Sequence, residues 1–287
     1  MQNQKSILYL RTNNANMNYL HLDSGFTPFG KSIDFESFTF SGGEPHIKIK
    51  ETVKGAVTIT QRITSFNDLG MILLATDALR RMNVKEINLF IPYVPAARQD
   101  RVMVSGEPLS IKVYAEIINS QNYQKVTVFD PHSEVTPALL NNVEVIDNHK
   151  YVKQCLETIK DEIVLISPDG GALKKIYKLS AYLGGIEVIE CSKKRDVKTG
   201  KLSGFTVYAN DLNQKTAIVV DDICDGGGTF LGLGKALQEK NAGDLHLIVS
   251  HGIFNKGFEE LESMYKTIFT TNSFRNVASE KVVQIAL

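Results

Sequence analysis

Apolar positions in this chain recur at two spacings, and the two alternate along its length. Short apolar runs bounded by polar or glycine-containing segments predict strands near residues 35–40, 46–50, 55–61, 86–91, 125–129 and 143–146. Apolar residues three and four apart predict helices over about 66–82 and 107–120. The second half repeats the pattern, with strands at 162–167, 186–190, 216–221, 245–250 and 266–270. Its helices fall at about 150–160, 171–183, 228–241 and 256–263. Runs such as 217–220 are apolar at every position, as a parallel strand covered on both faces requires. The alternation predicts an α/β fold of two domains, each a mainly parallel sheet flanked by helices. Asp147, Asn148 and His149 read as a helix-capping boundary, giving a first domain over 1–146 and a second over 147–279. The closing stretch 280–287 reads as a strand that returns to the first domain. The segment 193–204 is too polar for a core element and reads as a loop or a two-stranded flap.

Open α/β sheets bind ligands just beyond the carboxyl ends of their strands, and charged or glycine-rich residues follow several strands here. After the run 217–220 come Asp221 and Asp222, then Asp225, Gly226, Gly227, Gly228 and Thr229 at the start of a helix. The glycines let the backbone approach a ligand and turn its N–H groups inward, and the helix adds its positive end. The pattern suits a phosphate, and the carboxylates suit sugar hydroxyls or a hard cation such as Mg²⁺. Arg98, Gln99, Asp100 and Arg101 follow another strand, where paired guanidinium donors suit a polyphosphate and the alternative is a solvated loop. Asp130 and His132 end a third strand; taken alone the imidazole reads as a structural turn, and the alternative is a metal or phosphate ligand. Asp169, Gly170 and Gly171 open a helix, either as a pyrophosphate loop or as an ordinary turn capped by Asp169. Lys193, Lys194, Arg195, Lys198 and Lys201 form a basic run, which is a solvated face unless it meets a transferring phosphoryl group. The segment 38–49, with Ser41, Gly42 and Gly43 at its centre, reads as a hairpin.

Composition narrows these readings. The 287 residues carry 32 basic and 32 acidic side chains, so no bulk positive field favours nucleic acid. The first residues lack the apolar core of a signal peptide and no apolar run is long enough to span a membrane, which implies a cytoplasmic protein with no membrane partner. Cys155, Cys191 and Cys224 are widely spaced, as expected of reduced thiols, and Cys224 reads as a small filler in the glycine loop.

Taken in order, these motifs resemble those of the ribose-phosphate diphosphokinase family, also called phosphoribosyl pyrophosphate (PRPP) synthetases, from about Phe38 to Leu287. The stretch 218–229 resembles the family's ribose-5-phosphate loop, 98–101 its ATP-binding segment, and 102–112 the flexible loop that follows it. Asp130-Pro131-His132 is similar to the family's Asp-Leu-His, 167–172 to its pyrophosphate loop, and 193–195 to its catalytic flexible loop. The segment 40–44 resembles Phe-Ser-Asp-Gly-Glu, with Gly42 in the place of the Asp. The resemblance implies two tandem phosphoribosyltransferase-like domains and transfer of a pyrophosphoryl group from ATP to ribose 5-phosphate. It implies catalytic roles for Lys193 and Arg195, and ATP contacts from Phe40, Glu44, Arg98, Gln99, Asp100 and His132. Ribose 5-phosphate falls to Asp221, Asp222, Asp225, Gly226, Gly227, Gly228 and Thr229, pyrophosphate to Asp169, Gly170 and Gly171, and Mg²⁺ to His132 and Asp169. Adenine received from a neighbouring subunit implies a homo-oligomer, a dimer or larger. A phosphoribosyltransferase that consumes PRPP would share 218–230, and a catalytically silent regulatory paralogue would share the fold.

Overall fold

The structure is a computed structural model that describes residues 17–195 and 202–287. It divides into two compact units. The first takes the described residues up to Asp147, with Ser273–Arg275 and Leu287; the second takes Asn148–Asn272 and Asn276–Ala286.

The first unit runs β1 (Met17–His21), β2 (Phe35–Thr39), β3 (Pro45–Ile49), β4 (Ala56–Thr60), α1 (Phe66–Arg81), β5 (Ile87–Ile91), α2 (Ser110–Asn119), β6 (Lys125–Phe129), α3 (Val135–Leu139) and β7 (Val143–Ile146). Five of these strands form one sheet in the order β1-β4-β5-β6-β7, parallel throughout. β2 and β3 form a separate antiparallel hairpin, and β3 packs on α1. All five residues of β5 are buried, as the continuous apolar run requires. A capping box starts α1: the Ser65 hydroxyl accepts from the Asp68 N–H, and Asp68 Oδ2 accepts from the Ser65 N–H at 2.8 Å.

The second unit runs α4 (His149–Leu156), β8 (Ile163–Ser167), α5 (Leu173–Tyr182), β9 (Val188–Arg195), β10 (Leu202–Val207), β11 (Thr216–Cys224), α6 (Gly228–Gln238), β12 (Leu245–Gly252), α7 (Glu259–Met264), β13 (Thr267–Thr271) and β14 (Val282–Ile285). Its seven-stranded sheet has the order β10-β9-β8-β11-β12-β13-β14, and only the β9–β10 pair is antiparallel. From β8 the chain moves to β9 on one side and later to β11 on the other, so the strand order reverses between β8 and β11. That reversal is where doubly wound sheets open a crevice for ligands.

The helices and the strands from β2 onward lie where the periodicity predicts, with four differences. β14 pairs in parallel with β13 in the second sheet, burying Val282 and Ile285 there, so the closing strand does not return to the first sheet. Asn148 stands at the N-cap of α4 but makes no side-chain cap bond; its amide donates to the Ser250 hydroxyl at 3.4 Å. β1 and the short α3 have no counterpart in the predicted elements. The polar segment 193–204 is, in its described part, the expected two-stranded flap, β9–β10, with Lys193 paired opposite Phe205.

α6 carries two glycines in its interior, which cost a helix about 1 kcal/mol each against alanine. Gly232 sits under the flap: a Cβ there would lie 2.7 Å from Cε2 of Phe205 on β10. Gly232→Ala is therefore expected to destabilise the second unit by about 1–3 kcal/mol through overpacking, where helix propensity alone gives a gain. Thermal unfolding of this variant distinguishes the two: a raised midpoint would remove the packing argument.

His21 closes β1 buried, with Nε2 3.0 Å from the Gly30 carbonyl and Nδ1 2.7 Å from the Thr60 hydroxyl. The carbonyl can only accept, so Nε2 carries the proton and Nδ1 accepts from Thr60. Burial lowers the ring's pKa below its usual value, against the opposing pull of the Gly30 carbonyl. A folded pKa below the unfolded one means that the unfolded chain binds the proton more tightly. The contribution of His21 to stability is thus present above about pH 6.5 and is lost as pH falls through the folded value. An NMR titration is expected to place its midpoint below that of an exposed histidine; a midpoint above it would contradict this packing.

Candidate active site

In the first unit the residues of interest follow β5 and β6. After Ile91 the chain is anchored by buried Tyr93, Val94 and Ala97 and bends at Ala96, whose φ is +58°. The Gln99 N–H donates to the Ala96 carbonyl at 2.8 Å, which fixes the turn carrying Arg98, Gln99 and Asp100. The Asp100 side chain is 5% exposed and lies 3.0 Å from Arg101 Nε. Burial by itself would raise its pKa, but hydrogen bonds from Arg101 and Ser133 and the charges of Arg101 and His132 outweigh it and hold the carboxyl below its usual value. Asp100 thus ties the loop after β5 to the loop after β6. In that second loop Asp130 is buried at a φ of +37°, its N–H donates to the Ile146 carbonyl at 2.8 Å, and Pro131 then leads to His132. A non-glycine residue held in this region stores strain of about 1–3 kcal/mol, a pattern common at functional sites.

The hairpin β2–β3 presents Phe40 and Glu44. Phe40 is 51% exposed and packs edge-on against Phe38, itself 49% exposed, at 4.8 Å between ring centres. His46 completes the cluster 5.0 Å from Phe38, its cross-strand partner. A Cβ on Gly42 would lie 2.6 Å from Oε2 of Glu44, so the Glu44 carboxylate occupies the space that a side chain at 42 would fill.

In the second unit the residues of interest gather at the reversal in strand order. β8 pairs with β11 only as far as Ile166 with Val219, whereas β11 stays paired with β12 out to Cys224 with Gly252. Asp221 and Asp222 therefore lie on the part of β11 that has outrun β8, beside the turn of Asp169, Gly170 and Gly171. Burial, then the adjoining Asp222 carboxylate, push the Asp221 carboxyl well above its usual pKa, with Asp169 adding to the effect. Asp169 accepts from the Ala172 N–H at 3.0 Å, so it does cap the turn. Its other oxygen lies 2.7 Å from Lys193 Nζ on β9. Burial would raise Asp169, but the Lys193 ammonium and the Ala172 and Gly171 N–H groups outweigh it and keep the carboxyl below its usual value. Arg195 ends β9, and its side chain lies outside the described part of the structure.

The loop 225–229 enters α6 through Gly227, whose φ is +77°. A Cβ there would meet Leu261 at 3.1 Å as well as an unfavourable backbone conformation, so two constraints select glycine. No side chain caps α6, and its first internal hydrogen bond runs from Leu231 N–H to the Gly227 carbonyl at 3.0 Å. The N–H groups of Gly228, Thr229 and Phe230 have no acceptor within the helix, and Gly228 is exposed with open space beside it. Such an end can receive an anion. Cys224 is fully buried, and burial together with the Asp221 and Asp225 charges pushes its thiol up to about 12. It is a filler rather than a nucleophile.

The structure thus brings Asp169, Lys193, Asp221 and Asp222 together in the second unit, and Asp100 and His132 in the first. Sequence reading missed Phe38 and His46, although their alternation with Phe40 across a hairpin turn was a usable signal. It also missed Asn255 and Lys256, which follow β12 and lie against Gly226; their approach depends on tertiary contacts.

Comparison with known proteins identifies the family. The model for the N-terminal domain of ribose phosphate pyrophosphokinase matches residues 30–121, and that for the phosphoribosyl transferase domain matches residues 139–284. The ribose-phosphate pyrophosphokinase of Mycoplasmopsis pulmonis (strain UAB CTIP) is 31% identical over 244 residues, spanning 83% of this chain and 75% of its own length. That of Pyrococcus abyssi (strain GE5 / Orsay) is 30% identical over 271 residues, 91% of each chain. The crystal structure of phosphoribosylpyrophosphate synthetase from Mycobacterium smegmatis has the same fold, with a TM-score of 0.83 at 21% identity over 94% of both chains. With both domain models matched in order and similarity running through nearly its whole length, the chain belongs to the ribose-phosphate pyrophosphokinase family.

Proposed function

We propose that this chain transfers the β,γ-pyrophosphoryl group of ATP to the 1-hydroxyl of ribose 5-phosphate, giving PRPP and AMP. The observation that carries this reading is the acid–base constellation between β8, β9 and β11: Lys193 on Asp169, beside Asp221 and Asp222 and next to an uncapped helix end. The 5-phosphate is bound by the backbone N–H groups of Gly226, Gly227, Gly228 and Thr229, and Asp225 starts the turn that aims them. Asp221 and Asp222 accept from the ribose hydroxyls. Asp169, Gly170 and Gly171 face the pyrophosphate.

On the ATP side, Arg98 and Gln99 bind phosphate oxygens. Asp100, with its carboxylate buried, acts mainly by holding Arg98, Gln99 and His132 in place. Phe40 stacks on the base and Glu44 accepts from it, with Glu44 also filling the space left by Gly42. The exposure of the Phe38–Phe40 pair supports presentation of this hairpin to a neighbouring subunit, hence a homo-oligomer of at least two chains. No helix among the described residues is long and apolar enough to cross a membrane. The buried free thiols support a cytoplasmic setting.

In the reaction the 1-hydroxyl oxygen bonds to the β-phosphorus, the bridging bond to AMP breaks, and the hydroxyl proton is lost. Negative charge spreads over the transferring group and must be met by fixed cations. Lys193 supplies one by exchanging its Asp169 partner for phosphoryl oxygens, and Arg195 supplies a second. Mg²⁺, when bound, neutralises further charge on the polyphosphate. In the second unit Asp169 fits a hard cation because its carboxylate is held ionised among acidic neighbours; in the first unit His132 is proposed as a ligand in its own right and offers nitrogen.

Incubation with ATP, Mg²⁺ and ribose 5-phosphate is expected to yield AMP only when both substrates are present; AMP formed equally without the sugar phosphate would sink the reading. Lys193→Ala removes one preorganised charge, worth about 3–4 kcal/mol of barrier, so turnover is expected to fall by roughly 10²–10³. Its unfolding midpoint should be little changed, because the ion pair it breaks is partly solvated. Near-normal turnover in that variant would remove Lys193 from the mechanism. Gly227→Ala is expected to raise KM for ribose 5-phosphate well above any change in KM for ATP, and steady-state kinetics that showed the reverse would reassign the loop.

A further inference from the structure

The stretch 221–229 contains three carboxylates, Asp221, Asp222 and Asp225, and no Lys, Arg or His. A phosphate dianion seated at the start of α6 gains about half a unit of positive charge from the helix, and a cation brought beside it from elsewhere in the fold strengthens its binding.

The segment after β12 brings one. Its backbone is laced to the end of β11: the N–H groups of Ile253 and Phe254 donate to the Cys224 carbonyl at 2.9 and 3.2 Å, and that of Asn255 donates to the Asp225 carbonyl at 3.1 Å. Left-handed conformations at Phe254 (φ +47°) and Gly257 (φ +76°) bend the segment back over the loop. The side chain of Lys256 thereby crosses Gly226. Its Cδ and Cε lie 3.4 and 3.5 Å from the point where a Gly226 Cβ would sit, and Asn255 Oδ1 lies 3.1 Å from it. The ammonium is one bond beyond Cε, so it is within about 5 Å of the same point. Lys256 is exposed and forms no ion pair among the described residues, Asp225 included. Lys193, by contrast, is held by Asp169.

We propose that Lys256 is a binding residue for the 5-phosphate of ribose 5-phosphate, closing over the loop 225–229 from the β12 side; this rests on the pyrophosphokinase reading. The stem packs on Gly226, and the ammonium supplies positive charge beside the loop. Asn255 anchors the segment from which the side chain reaches.

Steady-state kinetics and calorimetric binding of ribose 5-phosphate to the full chain test this with Lys256→Met, which keeps the stem and loses the charge, and Lys256→Arg, which keeps the charge. Lys256→Met is expected to raise KM and Kd for ribose 5-phosphate about tenfold, with kcat and KM for ATP within about twofold. Lys256→Arg should stay within about threefold, and the salt dependence of KM for ribose 5-phosphate should be shallower in the Met variant than in the unaltered enzyme. An active enzyme in which Lys256→Met leaves KM for ribose 5-phosphate unchanged, or lowers kcat and ATP affinity in step, overturns the assignment of Lys256 alone. An unaltered chain that forms no AMP from ATP and ribose 5-phosphate overturns the pyrophosphokinase reading, and this inference with it.

Discussion

A parallel strand buried on both faces cannot carry charge along its length, because an unpaired ion in the core costs several kcal/mol. Charged residues are therefore confined to the points where strands leave the sheet. β11 obeys this constraint and extends it. It is buried from Thr216 to Val220, and at Asp221 and Asp222 it continues only because β8 has already ended beside it. The stagger between these two strands creates a place at the sheet's edge where two adjacent carboxylates, a third from the β8 turn and a lysine from β9 meet. The uncapped start of α6 and the paired lysine and aspartate all sit beside this stagger.

The same constraint explains how much could be read from sequence. Apolar runs and helical spacing marked most of the elements because burial on both faces leaves a strong signal. β1 was not marked: Asn18 and Tyr19 interrupt it, and its place in the sheet comes from pairing with β4. α3 is a single short helix with Pro137 inside it. β9 carries Lys193, Lys194 and Arg195 at its end because the flap it forms with β10 has left the sheet's buried middle, so a charged run can still be a strand. β14 shows the limit of local pattern, since nothing in four residues says which of two sheets they will join.

The candidate residues were legible as strand-end motifs, but their partners were not. That Lys193 would rest on Asp169, or that Asp100 would tie two loops through Arg101 and Ser133, depends on register and on side chains far apart in sequence. These contacts sharpen the chemistry. Lys193 on β9 rests on Asp169 of the turn after β8. The Asp100 carboxylate is engaged by its own neighbours, Arg101 and Ser133.

The positions of bond cleavage and of bond formation define the proposed reaction. Phosphorus NMR of the products from ATP, Mg²⁺ and ribose 5-phosphate reads both at once. Pyrophosphoryl transfer yields AMP and a sugar bearing a diphosphate at C1 beside its original 5-phosphate, in equal amounts. ADP with a singly phosphorylated C1, or AMP with free pyrophosphate and unchanged sugar, would contradict it.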